Sequence, residues 1–320
     1  AGAVNLDTLA AVRATGGNEI RILSEGYPLC TVSLGDLSPK KEEENTTAAL
    51  IRGVAARFRE LGAALRGFDA FVTSTVLPGS GLSSSAAFEV LLGTVCNALF
   101  FENRLSAPEI AKIGQYAENV YFGKPCGLMD QMASAVGNLV SIDFADPEAP
   151  AVTPVDFDFA ACGYALCIID SKASHADLTD EYAAIPQELG RICAHFGKRC
   201  LRQVPEEDFF GALPELRREC GDRAVLRAIH VFEDNRRVDR QVSALKAGDF
   251  DTFLALVKES GYSSYMYLQN VIPAGYVDHQ DMAVALALCE RLLGGRGAYR
   301  VHGGGFAGTV QAFVPEELLE

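Results

Sequence analysis

The stretch FDAFVTSTVLPGSGLSSSAAFEVLLGTVCNALFF, residues 68–101, decides how the rest of the chain is interpreted. Its first part is rich in β-branched and aromatic residues and predicts a strand over Asp69–Val76, and its last part has helical apolar periodicity. Between them lies the loop LPGSGLSSS, residues 77–85. The first N–H groups of a helix have no intrahelical partner, and the helix dipole is positive there. We therefore predict that this loop binds phosphate.

Two familiar phosphate-binding loops do not match this stretch. The P-loop requires a lysine directly after its second glycine, and none follows here. The dinucleotide fingerprint requires a third glycine where Ser84 stands. For a glycine pair alone, the alternative interpretation is a Gly-Ser turn that caps a core helix.

Length and composition limit the class of protein. The chain has 320 residues, of which 49% are hydrophobic and 22% charged, so two ordinary domains with sizeable cores are expected. A net charge of −14 argues against a nucleic-acid-binding protein. The nine cysteines are odd in number and form no C-x-x-C pair, which favours reduced thiols. With no apolar run of membrane-spanning length and no signal peptide, we expect a cytoplasmic enzyme.

Elements around the loop follow from local pattern. Three strands are predicted near the start, over Leu6–Thr15, Glu19–Ser24 and Cys30–Leu34. An amphipathic helix is predicted to follow them, over Thr46–Leu65. The chain from Pro205 to Gly294 is predicted to be mostly helical, and residues 145–154 are the best candidate for a linker.

Two carboxylates stand out in the following segment. Ser106 opens a capping box, so a helix is predicted from Ala107 to about Phe122, and it carries Glu118. Asp130 opens a short new helix. Taken alone, Glu118 would be an exposed helix acid and Asp130 a helix N-cap.

Three motifs resemble those of one family. The run PGSGLSSSAA (78–87) resembles the second signature of the GHMP small-molecule kinases, P-x-G-x-G-L-S-S-S-A-A, although Leu77 stands where that family has proline. The run AENVYFGKPCGLMDQ (117–131) resembles the galactokinase branch, A-E-x-x-Y-x-G-x-x-C-G-x-M-D-Q. Near the end, GGGFAG (303–308) resembles the third signature, G-G-G-F-G-G, with Ala307 replacing a glycine.

The resemblance implies a two-domain α+β fold. The expected parts are a ribosomal-S5-like N-terminal domain over residues 1–150 and a ferredoxin-like α+β C-terminal domain over residues 151–320. In this architecture the active site lies in the cleft between the two domains.

The resemblance also implies roles for single residues, with ATP and Mg²⁺ as cofactors. Asp130 would be the catalytic acid/base, and Ser85 with Glu118 would hold Mg²⁺. Phosphoryl transfer needs a positioned carboxylate to accept a hydroxyl proton, and Mg²⁺ prefers few carboxylates plus phosphate oxygens. The predicted nucleotide-binding residues are Gly79, Ser80, Gly81, Leu82, Ser83, Ser84 and Ser85. The predicted substrate contacts are Gly127, Asp130, Tyr182, Gly304 and Gly305.

The function implied by the resemblance is a galactokinase-like transfer from ATP to the anomeric hydroxyl of galactose. The expected partners are the sugar and ATP, with no nucleic acid and no membrane, and the expected state is a monomer or weak dimer. One alternative is a kinase for a related sugar such as N-acetylgalactosamine, galacturonate or arabinose. Another is a regulator that senses sugar and ATP without catalysis.

Parts of the family pattern are missing. The first galactokinase signature, G-R-V-N-L-I-G-E-H-T-D-Y, does not occur, and the chain stops soon after the third signature. We therefore expect these residues to be part of a longer protein. The alternative is a natural relative that lacks the sugar contacts which that first signature supplies in galactokinases. The chain has no Trp, so nucleobase contacts are not assigned.

Overall fold

The structure is a computed structural model, and it describes residues 1–76, 81–124, 126–173 and 178–319. The chain divides into two compact units, residues 1–142 and 143–320. Each unit contains helices and strands, which confirms the expected α+β class. The division falls between Ile142 and Asp143, ahead of the boundary at residues 150 and 151 that the sequence suggested.

The first unit is built on a four-stranded sheet in the order β1-β4-β2-β3. Its strands are β1 (Thr8–Ala14), β2 (Glu19–Ser24), β3 (Cys30–Ser33) and β4 (Phe68–Ser74). Strand β4 pairs antiparallel with β1 and parallel with β2, and β2 pairs antiparallel with β3. The parallel pair needs a long crossover, which the helix between β3 and β4 provides.

Four α-helices accompany this sheet, and β5 (Leu139–Asp143) follows them. They are α1 (Thr47–Glu60), α2 (Ser84–Phe100), α3 (Ala107–Tyr116) and α4 (Met129–Val136). Strand residues alternate between the two faces of the sheet: Ile20 and Ile22 are buried in the core, whereas Phe71 is 48% exposed. Residues of α1 and α2 belong to the same apolar core as the sheet, so one face is covered.

Helix α3 begins and ends in ways that matter for the site. Its capping box is present: Ser106 donates from its backbone N–H and its hydroxyl to Glu109, at 2.8 and 2.6 Å. At its end the chain continues as a π-helix over Ala117–Phe122. A π-turn inserts an extra residue into the helical ladder and is frequent at functional sites. The predicted helix to Phe122 therefore exists, but its last turn is π-helical and contains Glu118.

The second unit has a three-stranded antiparallel sheet in the order β7-β9-β8. The strands of this unit are β6 (Ala151–Val155), β7 (Tyr164–Asp170), β8 (Ala298–Val301) and β9 (Thr309–Pro315). Its helices are α5 (Thr179–His195), α6 (Glu206–Gly211), α7 (Leu213–Cys220), α8 (Asp222–Lys246), α9 (Phe250–Ser263) and α10 (Asp281–Leu293). The predicted helical character of the segment from Pro205 to Gly294 is confirmed.

A buried ion-pair network holds the helices of the second unit together. Arg227 on α8 is fully buried and donates to Glu188 on α5 at 2.8 Å and to the carbonyl oxygen of Leu268 at 3.0 Å. Arg223 donates to the other oxygen of Glu188 at 2.6 Å. A buried charge needs partners of this kind, because leaving it unpaired is costly. Within the described ranges, no helix is both long and apolar enough to cross a lipid bilayer.

Candidate active site

The phosphate loop is described only in its second half. Gly79 and Ser80 lie outside the described residues, whereas residues 81–83 lead into α2, whose first two residues are Ser84 and Ser85. Ser83 precedes the first helical residue and has a left-handed backbone, with φ 55° and ψ 60°. A non-glycine residue in this region is strained by about 1–3 kcal/mol, and such strain is concentrated at functional sites.

The Ser83 hydroxyl does not cap its own helix. A serine at this position usually accepts a hydrogen bond from an N–H group of the first turn. Here it donates to the Asp130 carboxylate, and the Ser83 side chain makes no cap hydrogen bond with the described N–H groups of α2. The Ser83 side chain therefore leaves the first N–H groups of α2 unoccupied, and phosphate binding by this loop stays a prediction.

Glu118 and Ser85 form the second pair of the site. Glu118 is only 3% exposed, and its Oε1 accepts a hydrogen bond from the Ser85 hydroxyl at 3.1 Å. One carboxylate and one hydroxyl that lie this close can both reach a single hard cation. In the described part of the chain, no group of three or more His, Cys, Asp or Glu side chains could hold a metal ion. The residues present therefore fit a Mg²⁺ ion that takes its remaining ligands from phosphate and water.

Two residues outside the predicted site lie beside Glu118. Gln131 donates from Nε2 to Glu118 Oε2 at 2.8 Å and to Glu89 Oε2 at 3.1 Å. Glu89 is fully buried, and burial, with the nearby Glu118 carboxylate adding to it, raises the pKa of Glu89 to about 8. The sequence did carry signals for both residues. Gln131 ends the motif that contains Asp130, and Glu89 is the one charge within the apolar run AAFEVLLG, residues 86–93.

Two predicted site residues, one in α4 and one in the segment just before it, are accessible to solvent. Asp130 lies in the first turn of α4 and is exposed. Gly127 is also exposed, and a Cβ atom added there would meet nothing within 4 Å. No described neighbour therefore requires glycine at this position, which leaves room for a ligand to approach the backbone.

The other predicted substrate contacts meet in the second unit. Tyr182 on α5 donates from its hydroxyl to the carbonyl oxygen of Gly305 at 2.8 Å. Its ring also lies against Gly304, where an added Cβ atom would be 3.1 Å from Tyr182 Cε1. Burial raises the pKa of Tyr182, so the phenol remains a hydrogen-bond donor at neutral pH. Tyr182 therefore supports the glycine loop directly.

Asn270 is a further residue of this region that the sequence did not reveal. It is 2% exposed, donates to the carbonyl oxygen of Gly304 at 3.1 Å, and accepts from the Ser264 hydroxyl at 2.6 Å. It follows a π-helix over Ser264–Leu268. No motif or periodicity marks it, because its importance depends on a loop far away in the sequence.

Comparisons with known proteins show the family of this chain. The family described as GHMP kinases N terminal domain matches residues 49–138. The galactokinase of Actinobacillus pleuropneumoniae is 35% identical over 287 residues, which cover 89% of this chain and 72% of that protein. The galactokinase of Streptomyces coelicolor is 34% identical over 308 residues, covering 96% of this chain and 76% of that protein.

Solved structures share the fold. The crystal structure of Lactococcus lactis galactokinase complexed with galactose has a TM-score of 0.80 at 23% identity, covering 99% of this chain and 79% of that one. The L. major mevalonate kinase in complex with R-mevalonate has a TM-score of 0.56 at 13% identity, covering 97% and 77% of the two chains.

Proposed function

Because this chain belongs to the galactokinase branch of the GHMP kinase family, we propose that it transfers the γ-phosphoryl group of ATP to the anomeric hydroxyl of galactose. The products are galactose 1-phosphate and ADP. The observation that carries the proposal is a pair of contacts from one loop: Ser83 donates to Asp130, and Ser85 donates to Glu118. A phosphate-binding loop, a candidate base and a candidate metal ligand are thereby joined.

Each group has a chemical task in this proposal. The N–H groups at the start of α2, with the loop from Gly79 to Ser84, would donate to phosphate oxygens. Ser85 and Glu118 would hold Mg²⁺, which neutralises charge on the transferring phosphoryl group. Asp130 would accept the proton of the attacking sugar hydroxyl, and its contact with Ser83 orients its carboxylate for that step.

The sugar contacts are proposed on chemical grounds. Gly127 leaves open space for a hydroxyl to approach the backbone. The Tyr182 hydroxyl already donates to Gly305, so it would meet a sugar as an acceptor, or through its ring. Gly304 is exposed beside that ring, whereas Gly305 is buried and its carbonyl oxygen accepts from the Tyr182 hydroxyl.

The test is ADP release with ATP, Mg²⁺ and a panel of sugars, comparing wild type with Asp130→Asn. Asparagine keeps an oxygen that can accept from Ser83 but cannot take up a proton, so we expect turnover on galactose to fall about 100- to 10,000-fold. ATP affinity and thermal midpoint should not change. A matched control is Asp146→Asn, an exposed residue whose Oδ1 accepts from the Glu148 N–H at 3.0 Å.

The outcomes separate the possible functions. Near-normal turnover by Asp130→Asn would remove this residue as the base. Turnover on N-acetylgalactosamine, galacturonate or arabinose instead of galactose would move the substrate assignment but keep the kinase. If wild type binds ATP and sugar yet releases no ADP with any sugar, the chain is a sensor and the proposed activity is wrong.

A further inference from the structure

We propose that Gln131 is a positioning residue for the Glu118 carboxylate and that Glu89 in turn fixes the orientation of Gln131. This inference rests on the proposed function, because it concerns how Glu118 is presented to a divalent cation. It adds two residues that are neither phosphate-binding nor catalytic groups. Its basis is a chain of buried contacts that runs through three helical segments of the first unit.

The Glu118 carboxylate is held at both of its oxygens. Oε1 accepts from the Ser85 hydroxyl at 3.1 Å, and Oε2 accepts from Gln131 Nε2 at 2.8 Å. Two anchors fix the plane of the carboxylate, and each oxygen keeps a lone pair that can still reach a cation. Because Glu118 is only 3% exposed, water has little access to replace a lost anchor.

Glu89 determines which way the Gln131 amide faces. The amide nitrogen lies between two carboxylates, Glu118 Oε2 at 2.8 Å and Glu89 Oε2 at 3.1 Å. Turning the amide over would remove the donor that both of these oxygens accept from, and would place an oxygen against Glu118 Oε2. Gln131 is only 1% exposed and Glu89 is fully buried, so water has little access to replace the lost hydrogen bonds. The two contacts therefore favour the orientation that donates to Glu118.

The surrounding helices leave space for this arrangement. Gly114 on α3 faces it, and a Cβ atom added there would lie 3.1 Å from Glu89 Oε2 and 3.2 Å from Gln131 Cγ. Glu89 is on α2, which carries Ser85, and Gln131 follows Asp130 on α4. The contacts therefore connect the helix of the phosphate loop, the π-turn of Glu118 and the helix of the candidate base.

Stability alone does not explain why these groups are polar. Among the described residues, Glu89 Oε1 and Gln131 Oε1 are buried without a hydrogen-bond partner. Unsatisfied buried acceptors destabilise a fold, and an apolar pair of similar volume would often be more stable. The polar pair lowers the stability of the fold, and its role in orienting the Glu118 carboxylate explains why it is nevertheless present.

The experiment measures ATP affinity by calorimetry with Mg²⁺ and with excess EDTA, and takes the ratio of the two as the metal enhancement. We expect Gln131→Met to lose about 10- to 100-fold of the metal enhancement, the usual effect of removing a partner of a metal ligand. Its ATP affinity in EDTA should remain that of wild type, which a merely misfolded variant would not show. Gln203→Met serves as the control, since Gln203 donates to the Ala145 carbonyl oxygen at 2.8 Å in the second unit.

A pair of variants at Glu89 gives an independent test if Gln131→Met folds poorly. Glu89→Gln keeps a side-chain oxygen that can accept from Gln131 Nε2, so metal enhancement should be retained. Glu89→Met removes the acceptor, so enhancement should fall as in Gln131→Met. Equal enhancement in Glu89→Met and Glu89→Gln would overturn the inference.

Glu118→Gln distinguishes this inference from the proposed function. If Glu118→Gln abolishes metal enhancement but Gln131→Met retains it, the inference fails and the metal ligand stands. If wild type shows no metal enhancement, or Glu118→Gln does not reduce it, both fail together. If Glu118→Gln, Gln131→Met and Glu89→Met lose metal enhancement and Glu89→Gln retains it, the result supports both the inference and the proposed metal ligand.

Discussion

His230 is a residue whose charge state is set by the fold around it. It lies on α8, 5% exposed, with Nδ1 2.9 Å from the Ser263 hydroxyl on α9. Burial lowers the pKa of His230 to about 4, Asp234 opposes this shift, and Arg300 and Arg237 add to it. The imidazole is therefore neutral in the folded protein at neutral pH and becomes protonated only as the pH approaches about 4.

We expect His230 to make stability depend on pH. An unfolded histidine has a pKa of about 6.5, so between about pH 6.5 and 4 the unfolded chain binds a proton that folded His230 does not bind. The free energy of unfolding is therefore unaffected by this group above about pH 6.5 and falls as the pH drops towards 4. The largest loss is about 3 kcal/mol at about 1.4 kcal/mol per pKa unit. Urea unfolding at pH 7 and pH 4.5 should show a smaller pH dependence for His230→Gln than for wild type. His279→Gln, at an exposed site, is the control, and a pH dependence equal to wild type in His230→Gln would contradict the assignment.

At the scale of elements, the glycine loop between β8 and β9 shows how packing restricts a segment. The sequence predicted strand, three glycines and strand, and β8 and β9 confirm that order. Gly303 and Gly305 have φ values of 68° and 83°, where side chains are disfavoured. The two positions differ in their surroundings: an added Cβ at Gly305 would lie 2.0 Å from the Asn270 carbonyl oxygen, whereas at Gly303 it would meet no atom of the described residues within 4 Å.

This difference predicts unequal effects of the same substitution. Gly303→Ala should lower the free energy of unfolding by about 1–2 kcal/mol, the cost of a left-handed backbone. Gly305→Ala carries that cost and a clash with Asn270, so it should lower the free energy by about 1–3 kcal/mol more. Urea titration of both variants measures the difference, and equal stability would show that Asn270 does not constrain the loop.

At the scale of the whole molecule, charge and ligand chemistry must be reconciled. The chain carries a net charge of −14, yet its proposed co-substrate is an anion. The attraction must therefore be local, and its proposed sources are the start of α2, which the Ser83 side chain does not cap, and a cation at Ser85 and Glu118.

Sugar binding should be visible in the stability of the intact chain. A ligand that binds only the folded state adds about 2.7 kcal/mol when its concentration is 100 times Kd. We expect galactose to raise the thermal midpoint in a saturable manner, and glucose to raise it less at equal concentration. Sorbitol controls for the non-specific effect of an osmolyte. An equal shift with galactose, glucose and sorbitol would contradict a specific sugar site, whether the protein is a kinase or a sensor.

Local pattern by itself predicted much of this protein. The three early strands were predicted to within two residues, and the capping box at Ser106 is present as predicted. The helix predicted over Thr46–Leu65 ends sooner, at Glu60, because Gly62 adopts φ 89° and the N–H groups of Gly62 and Ala63 bond back to Arg59 and Phe58. Motifs marked the loop, Glu118 and Asp130 as candidate site residues because each motif lies within a short stretch, and their roles stay predictions.

Only the tertiary structure decided how these residues meet. The Ser83 hydroxyl donates a hydrogen bond to a carboxylate 47 positions away in the sequence and does not cap its own helix. Gln131 lies between Glu89 and Glu118, and Asn270 holds a loop 34 positions further along. These partners are absent from local pattern because propensity and periodicity report only near neighbours. The choice of partner depends on which helices pack together and on which polar groups lose access to water.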